Sequence, residues 1–396
     1  PAAIHGGDAL AALNLDPALT QLAEDIKDRN FIPALIQDLL LDNGHQVRLT
    51  LAPDEHMSKR RDDSEKQRLD ILLKSMNDEQ RQSVVEQTAA LLERQSQEDD
   101  ASILPEVTRQ DIPATQFIAE PTVSNKDLGW NFYGAGTNGL VYHQLVIDWP
   151  QLNVSQLPYL NLLAQLMTEL GIGEQDYLAV QAKQAAVCGS LSAYLSYRGQ
   201  ATDADQLKAY FVLSTKGLVS QQTAIVDLLK DTLLSVRFDE KQRVKELVGQ
   251  LRSRRQQSVG QSGHSFALGA ASRNMSAGAN LAFNVSGLQG LIWLQQLDDS
   301  LKDEKCLSDL CQQLTALQEQ LGKQPLQLAS VGEKLQQSHI ESTFTSAFSE
   351  QVGALKGDVQ WAFNKAHTQA NYQPIQQLWT TNTQVNYCAR SFPTVS

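Results

Sequence analysis

The histidines are the first residues to test for metal chemistry, and their spacing argues against it. The chain has seven: His5, His45, His56, His143, His264, His339 and His367. No two lie three, four or five residues apart, as paired zinc ligands on one helix would. His339-Ile340-Glu341 comes nearest to a ligand cluster and lacks a second histidine. We therefore predict no metal ligand, no catalytic residue and no cofactor-binding residue in this chain.

Three other patterns could carry chemistry, and each has a simpler structural interpretation. The glycine-rich segment Gly134–Gly139 lacks G-x-G-x-x-G and a following Lys-Ser or Lys-Thr, so it predicts a hairpin or bulge. Ser262–Ser265 lacks G-x-S-x-G and lies between helical stretches, so it predicts a helix junction with His264 hydrogen-bonding at a helix N-terminus. The pairs Asp99-Asp100 and Asp298-Asp299 have polar neighbours and are expected to be solvated. Nothing here makes a self-contained active site.

The cysteines do not form a redox or zinc motif. They are Cys188, Cys306, Cys311 and Cys388. Cys306 and Cys311 are five residues apart, which on a helix points their side chains about 140° apart. That spacing matches neither C-x-x-C nor a zinc knuckle. We expect free thiols, a reducing compartment and a cytoplasmic protein.

Composition limits the class of protein. The 396 residues are 42% apolar and 20% charged, which is typical of a globular protein with room for two or three domains. The net charge of −12 argues against a nucleic-acid partner. No apolar run reaches about 18 residues, so we predict no membrane span. The basic clusters Lys59–Arg61 and Arg252–Arg255 are interleaved with polar residues and predict solvated helix faces.

The first hundred residues are expected to hold two different regions. Residues 17–42 predict two helices, and the alternation in His45–Ala52 predicts a half-buried strand that ends an α+β unit at residue 54. Residues 55–101 are strongly polar with narrow apolar stripes, broken at Asn77 by an N-cap. They predict an antiparallel helical hairpin that serves as a linker. A coiled-coil dimer arm is the alternative.

Residues 102–355 are expected to form an α+β domain after a proline-containing linker. The order is strands, helices, strands, several helices and a strand, which predicts a mainly antiparallel sheet covered by helices on one face. Gly129–Ala135 and Gly139–Asp148 are expected to pair as a hairpin. Residues 356–396 would begin a further α+β domain, with a strand at Gln384–Phe392. The missing initiator methionine and this late strand lead us to expect a fragment of a longer protein.

Several segments, taken in order, resemble one enzyme family. The segment Thr137–Gly171 (TNGLVYHQLVIDWPQLNVSQLPYLNLLAQLMTELG) resembles the start of the third domain in the presequence-protease branch of the pitrilysin/insulinase zinc peptidases. Phe31–Asp54 resembles the end of the second domain, and LPEVTRQDIP at 104–113 resembles the exit from the helical linker. Gly263-His264 in a helix break also matches, and VNYCARSFPTVS at 385–396 resembles the start of the fourth domain.

The resemblance implies a fold repeated four times, with two halves closing around a chamber. It places the catalytic zinc in the first domain, held by H-x-x-E-H and a distal glutamate, and an arginine and a tyrosine that hold the substrate in the fourth domain. None of these residues has a counterpart here, so no catalytic position is carried over. Zinc would belong to the parent enzyme, and peptide substrates would be bound through the catalytic half that this chain lacks.

Two hypotheses of different classes follow from the family resemblance, and a third stands outside it. In the first, the chain is the non-catalytic part of a zinc-dependent metalloendopeptidase that degrades unstructured peptides, forming chamber wall and inter-half connector. The alternative is a catalytically inactive relative that acts as a structural or binding subunit. The third is an unrelated helical scaffold. On the first hypothesis the parent is an enzyme and this chain alone is inactive.

Overall fold

The chain divides into two compact units, Pro1–Pro113 and Ala114–Ser396. The computed structural model describes residues 2–8, 10, 13–98, 100–127, 129–200, 203–357, 376–381 and 385–392. The finer domain limits expected from composition, at residues 54, 101 and 355, stay predictions. In the described part of the chain no helix is long and apolar enough to cross a bilayer.

The first unit contains the helices that the periodicity predicts. They are α1 Asp16–Asp25, α2 Phe31–Ile36, which continues into a π-turn at Gln37–Leu41, α3 Met57–Ser75 and α4 Asp78–Ser96. The predicted N-cap at Asn77 is confirmed. Its side chain accepts the backbone N–H of Gln80 at 2.8 Å, and the Gln80 side chain accepts the N–H of Asn77 at 3.0 Å. This capping box fixes the turn between α3 and α4.

Most apolar residues of the first unit remain exposed, and one expectation is corrected. The stripes of α3 and α4 do not pack closely: Leu72 is 49% exposed and Val85 61%. The predicted strand His45–Ala52 is wrong, since those residues form no strand and Val47 is 91% exposed. A strand needs a neighbour for its backbone groups and a core for its apolar side. The described residues of this unit supply neither.

The second unit is built on a six-stranded sheet with the order β1-β2-β6-β3-β5-β4. The strands are β1 Val123–Asn125, β2 Trp130–Gly134, β3 Leu140–Asp148, β4 Ser190–Gln200, β5 Asp203–Leu218 and β6 Leu326–Gly332. All neighbours are antiparallel except β2 and β6, which are parallel. The α+β class with a mainly antiparallel sheet is therefore confirmed.

The hairpin predicted between the second and third strands is wrong. Both strands exist, but β6 lies between them and pairs with each. The connecting segment Ala135–Gly139 therefore passes the end of β6 instead of making a tight turn. Sequence neighbours usually pair, and nothing local distinguishes this connection from a hairpin, because the intervening strand arrives from almost two hundred residues later.

Helices pack against one face of this sheet. They are α5 Leu157–Leu166, α6 Tyr177–Val187, α7 Gln222–Leu234, α8 Lys241–Gln261, α9 Gly263–Ser272, α10 Ala277–Val285, α11 Leu288–Ser300, α12 Glu304–Leu321 and α13 Gln337–Phe348. Buried apolar residues of all these helices except α9 join those of the sheet in one apolar cluster, with Trp130, Phe132 and Phe211 among its largest members. Burial alternates along β6, so only one side of the strand belongs to this core.

The strand expected at Gln384–Phe392 is not observed in the part that the structure describes. Residues 385–392 form no strand, and Val385 and Phe392 are more than half exposed. The alternation of polar and apolar residues was the only signal for it. Alternation specifies two faces but not the neighbouring strand that a sheet requires. Residues 358–375, 382–384 and 393–396, which belong to the expected further domain, lie outside the described residues.

Candidate functional site

The face of the sheet opposite the helices carries exposed side chains of the second unit. On β3, Val141, Leu145 and Ile147 point into the core and are fully buried, whereas Tyr142 is 40% exposed. We call the uncovered side the free sheet face. The strand registers place these side chains on it: Tyr133, Val331, Tyr142, Lys216, Ala329, Gln144, Ser214, Ser192 and Tyr194.

Tyrosines lie among polar and small apolar side chains on the free sheet face. Tyr142 lies opposite Lys216 on β5 and Val331 on β6, and the next polar row pairs Gln144 with Ser214. Gln144 Nε2 reaches Tyr194 Oη at 3.4 Å. Tyrosine offers a large amphipathic surface with few rotatable bonds. This face can therefore contact extended chains through ring packing and hydrogen bonds.

One end of the free sheet face is covered by the segment after α13. The carboxylate of Asp148 accepts the backbone N–H groups of Lys356 and Gly357, both at 2.9 Å. The Gly357 carbonyl accepts the N–H of Ala209 at 3.0 Å. Gly357 has a φ of +62°, and a Cβ there would overlap the Tyr210 hydroxyl. The Asp148 carboxylate thus binds this segment and is not available to a ligand.

A buried polar network lies on the core side of the same strands. His143 Nε2 is 2.8 Å from Gln222 Oε1, and its Nδ1 is 3.0 Å from Ser330 Oγ. Because the Gln222 oxygen can only accept, Nε2 carries the proton and Nδ1 accepts from the Ser330 hydroxyl. Ser330 Oγ in turn accepts the Trp130 indole N–H at 3.2 Å, and Gln222 donates to Thr343 Oγ1 at 3.0 Å.

This network holds a serine next to a histidine, but it does not form a nucleophilic site. His143 and Ser330 are both completely buried, and the residue beyond the histidine is the neutral Gln222 instead of a carboxylate. Burial lowers the pKa of His143 to about 4, against the smaller opposing effect of its hydrogen bond to Gln222. The imidazole is therefore neutral at neutral pH, and it ties the sheet to α7 and α13.

The glycine-rich segment between β2 and β3 is not a phosphate cradle. The Ala135 N–H donates to the Gly332 carbonyl at 2.9 Å, and the Gly139 N–H donates to Glu333 Oε1 at 3.1 Å. These amides already have protein partners. Asn138 and Gly139 have φ values of 52° and 78°, which explains the small residues at the point where the chain reverses.

The Ser262–Ser265 segment is a helix junction, as predicted, and it holds an aromatic ring. Gly263 begins α9 and is buried, and a Cβ there would overlap the ring of Tyr387. Tyr387 Oη donates to the Gly260 carbonyl at 3.1 Å. The His264 ring lies 6.5 Å from the Tyr387 ring, centre to centre. The junction therefore binds residues of the chain's own C-terminal segment.

The aspartate pair on α11 is bound, which corrects the expectation that it is merely solvated. Arg252 Nη1 lies 2.8 Å from Asp298 Oδ2 and 2.9 Å from Asp299 Oδ1. Hydrogen bonding to Arg252 holds the pKa of Asp299 below its usual range. This ion triad joins α8 to α11. Of the other pair, Asp100 accepts the Ser102 N–H at 3.0 Å, and Asp99 lies outside the described residues.

The described residues do not fit a zinc ion. They contain no cluster of three or more histidine, cysteine, aspartate or glutamate side chains placed to hold a metal. His339 and Glu341 lie on α13, where Glu341 accepts a hydrogen bond from Asn125 at 3.1 Å. All four cysteines are free thiols, and burial raises the pKa of Cys188 and Cys311.

Comparison with known proteins gives the chain a family. The family of domains described as associated with M-16C peptidases matches residues 51–297. A mitochondrial presequence protease of Danio rerio is 24% identical over 295 residues, covering 74% of this chain and 29% of its own. The Drosophila melanogaster presequence protease is 21% identical over 397 residues, covering 99% and 37%. A presequence protease of Arabidopsis thaliana is 24% identical over 298 residues, covering 72% and 27%.

Two solved structures show weaker likeness. A conserved protein from Enterococcus faecalis V583 gives a TM-score of 0.40 at 14% identity, covering 57% of this chain and 52% of its own. The periplasmic protease PqqL from Escherichia coli gives 0.38 at 11% identity, covering 66% and 27%. The chain spans less than two fifths of the length of the presequence proteases named above. The match over more than half of its residues shows that this chain belongs to the M-16C peptidase-associated family.

Proposed function

We propose that this chain is the non-catalytic part of a zinc-dependent metalloendopeptidase that degrades unstructured peptides. In this proposal its sheet lines the reaction chamber, and α3 and α4 connect the two halves of the enzyme. The observation that carries the proposal is the free sheet face, where Tyr142 and Tyr194 are exposed among polar and small apolar side chains. Membership of a peptidase-associated family supports a peptide as the molecule that contacts it.

In this proposal, another part of a longer protein performs the hydrolysis, and this chain forms the chamber wall. Hydrolysis by a zinc peptidase needs a metal, a carboxylate base and an oxyanion partner within about 3 Å of one another. The described residues offer no ligand set for the metal. The wall would instead exclude bulk water and limit the size and the folded state of what can enter.

The thiols support a cytoplasmic location as part of the same proposal. All four cysteines are unpaired, and free thiols persist in reducing compartments. Fractionation of cells that express the longer protein should recover it with cytosolic markers. Recovery with an organelle or an oxidising compartment would contradict this part of the proposal.

Peptide hydrolysis tests the proposal directly. The isolated chain should not cleave a flexible basic peptide of about transit-peptide length. A version extended at both ends, with H-x-x-E-H and the rest of the fourth domain, should cleave it and should lose activity when a zinc chelator is added. Chelator-insensitive cleavage by the isolated chain would contradict the proposal. An inactive extended chain with an intact motif would instead favour the structural-subunit alternative.

A further inference from the structure

The two edges of the sheet differ in how they are protected against pairing with another chain. The edge strand β1 has only three residues, whereas β4 has eleven. Natural edge strands are usually short or carry lysine, proline or a bulge, because their unpaired backbone groups can pair with any extended chain. In β4 the irregularity lies at its end, between Gly199 and Gln200. Residues Ser190–Tyr197 contain neither a proline nor a charge.

A strand added beside β4 would contact β4 side chains on both faces of the sheet. Small Ser192 and Ser196 flank Tyr194 on the free sheet face, where Tyr194 is 38% exposed. On the opposite face, Leu191 and Leu195 pack against the core but are only half-buried. A neighbouring strand would cover these residues and gain apolar contact with them.

Unpaired cations lie near both ends of β4. Arg198 is close to its end, and Lys216 lies opposite its first residue, Ser190. Within the described part of the chain neither forms a salt bridge. In a chain of net charge −12, this edge is locally complementary to acidic groups.

We propose that the outer edge of β4 binds an extended peptide segment as a seventh strand, with acidic side chains beside Arg198 and Lys216. Backbone hydrogen bonds supply affinity, and the charged ends set the preference and the register. Eight residues separate Ser190 from Arg198, a span of about 26 Å at about 3.3 Å per residue. The inference rests on the proposed function only in taking the bound molecule to be a peptide in the chamber.

Fluorescence anisotropy with the full chain tests the preference. The probe is a labelled nine-residue peptide of alternating threonine and valine with aspartate at each end. One matched control has lysine at each end, and another has a central proline. The aspartate peptide should bind at least about tenfold more tightly than either control. In hydrogen exchange it should protect the amides of Ser190–Tyr197 and leave Val123–Asn125 unchanged. Equal affinities, or protection elsewhere, would overturn the proposal.

Substitutions of exposed residues on the two edge strands distinguish specific binding at β4 from nonspecific binding. Ser192→Lys should weaken the aspartate peptide about tenfold, whereas Ser124→Lys on β1 should not. Arg198→Glu should reverse the preference between the aspartate and lysine peptides. Circular dichroism confirms that each variant folds. A Ser124→Lys loss equal to that of Ser192→Lys would overturn the proposal, as would self-association that Ser192→Lys abolishes, because the edge would then bind a second copy.

These outcomes differ from failure of the proposed function. If the β4 site is absent while the extended enzyme still cleaves peptides, the chamber-wall proposal stands and the edge site falls. If the extended enzyme is inactive but the isolated chain binds the aspartate peptide at β4, the edge site stands and the peptidase proposal falls.

Discussion

The two units of the chain contain similar apolar patterns, but only one of them buries its apolar residues. In Pro1–Pro113 no described residue is buried, although α3 and α4 have regular stripes and Val47, Leu49 and Leu51 alternate like a strand. In Ala114–Ser396 the same kinds of pattern form one continuous core. The difference shows that periodicity specifies a surface, whereas burial requires a complementary surface to meet it.

The largest expected difference between the units is in protease sensitivity. Cleavage should occur near Asn77-Asp78 or within residues 98–110 before it occurs in β3. Exposed segments open at almost no cost in free energy, while core strands open at a cost close to global unfolding, so the rates should differ by at least about a hundredfold. Mass spectrometry of early fragments measures this. Early cleavage inside Leu140–Asp148 would contradict the claim that the second unit is the more resistant to proteolysis.

Alanine substitutions of one buried and one exposed side chain test the same contrast through the free energy of unfolding. Phe211→Ala removes a fully buried ring and should lower the free energy of unfolding by about 3–5 kcal/mol. Leu72→Ala, at a position 49% exposed, should change it by no more than about 0.5 kcal/mol. Urea unfolding followed by far-UV circular dichroism, which reports the helices of both units, measures both. Similar losses for the two variants would show that the first unit buries its stripe after all.

A pH titration tests the buried network that distinguishes the second unit. The pKa of His143 falls from 6.5 to about 4 on folding, so the unfolded chain binds more protons between these values. The stabilisation is complete above about pH 6.5 and is lost as the pH falls toward 4. It amounts to about 3 kcal/mol.

The matched variants separate His143 from the other titrating groups. His143→Gln should remove this part of the pH dependence, while His45→Gln, at an exposed position of the first unit, should leave it unchanged. Urea unfolding at several pH values gives the slope for each variant. An unchanged slope in His143→Gln would contradict the assignment.

The smallest expected effect concerns the attachment of the C-terminal segment to the second unit. Gly263→Ala places a methyl group where the Tyr387 ring lies and should cost about 1–3 kcal/mol through overpacking. Tyr387→Phe loses only the hydrogen bond to the Gly260 carbonyl and should cost about 1 kcal/mol. Cleavage kinetics within residues 385–392 report release of the segment. If Gly263→Ala left these kinetics unchanged, the ring would not depend on this glycine.

The sequence predicted most elements of the fold because their signals are local. Apolar residues at helical spacing predicted the two helices within residues 17–42, and the Asn77 cap located the break between α3 and α4. The errors concern partners. The β2–β3 hairpin failed because β6 inserts from far along the chain, and the strand at His45–Ala52 failed because it has no neighbour.

The candidate site was missed for a related reason. The alternation of side chains along Leu140–Asp148 and Ser190–Gln200 would have placed Tyr142 and Tyr194 with the polar residues on one side of each strand. Which side the helices would cover could not be deduced from either strand alone. The binding of Asp298 and Asp299 by Arg252 was equally hidden, since the partners lie on different helices, 46 and 47 residues apart.

The most direct test of the central claim is photocrosslinking from the free sheet face. Benzoylphenylalanine would replace Tyr142 or, on the helix side, the exposed Gln312 of α12, in the extended protein with the glutamate of its zinc motif changed to glutamine. A flexible peptide should crosslink from position 142 and not from position 312, because only the former lines the proposed chamber. Equal crosslinking from both positions, or crosslinking from position 312 alone, would contradict the claim that the free sheet face is the wall that meets the substrate.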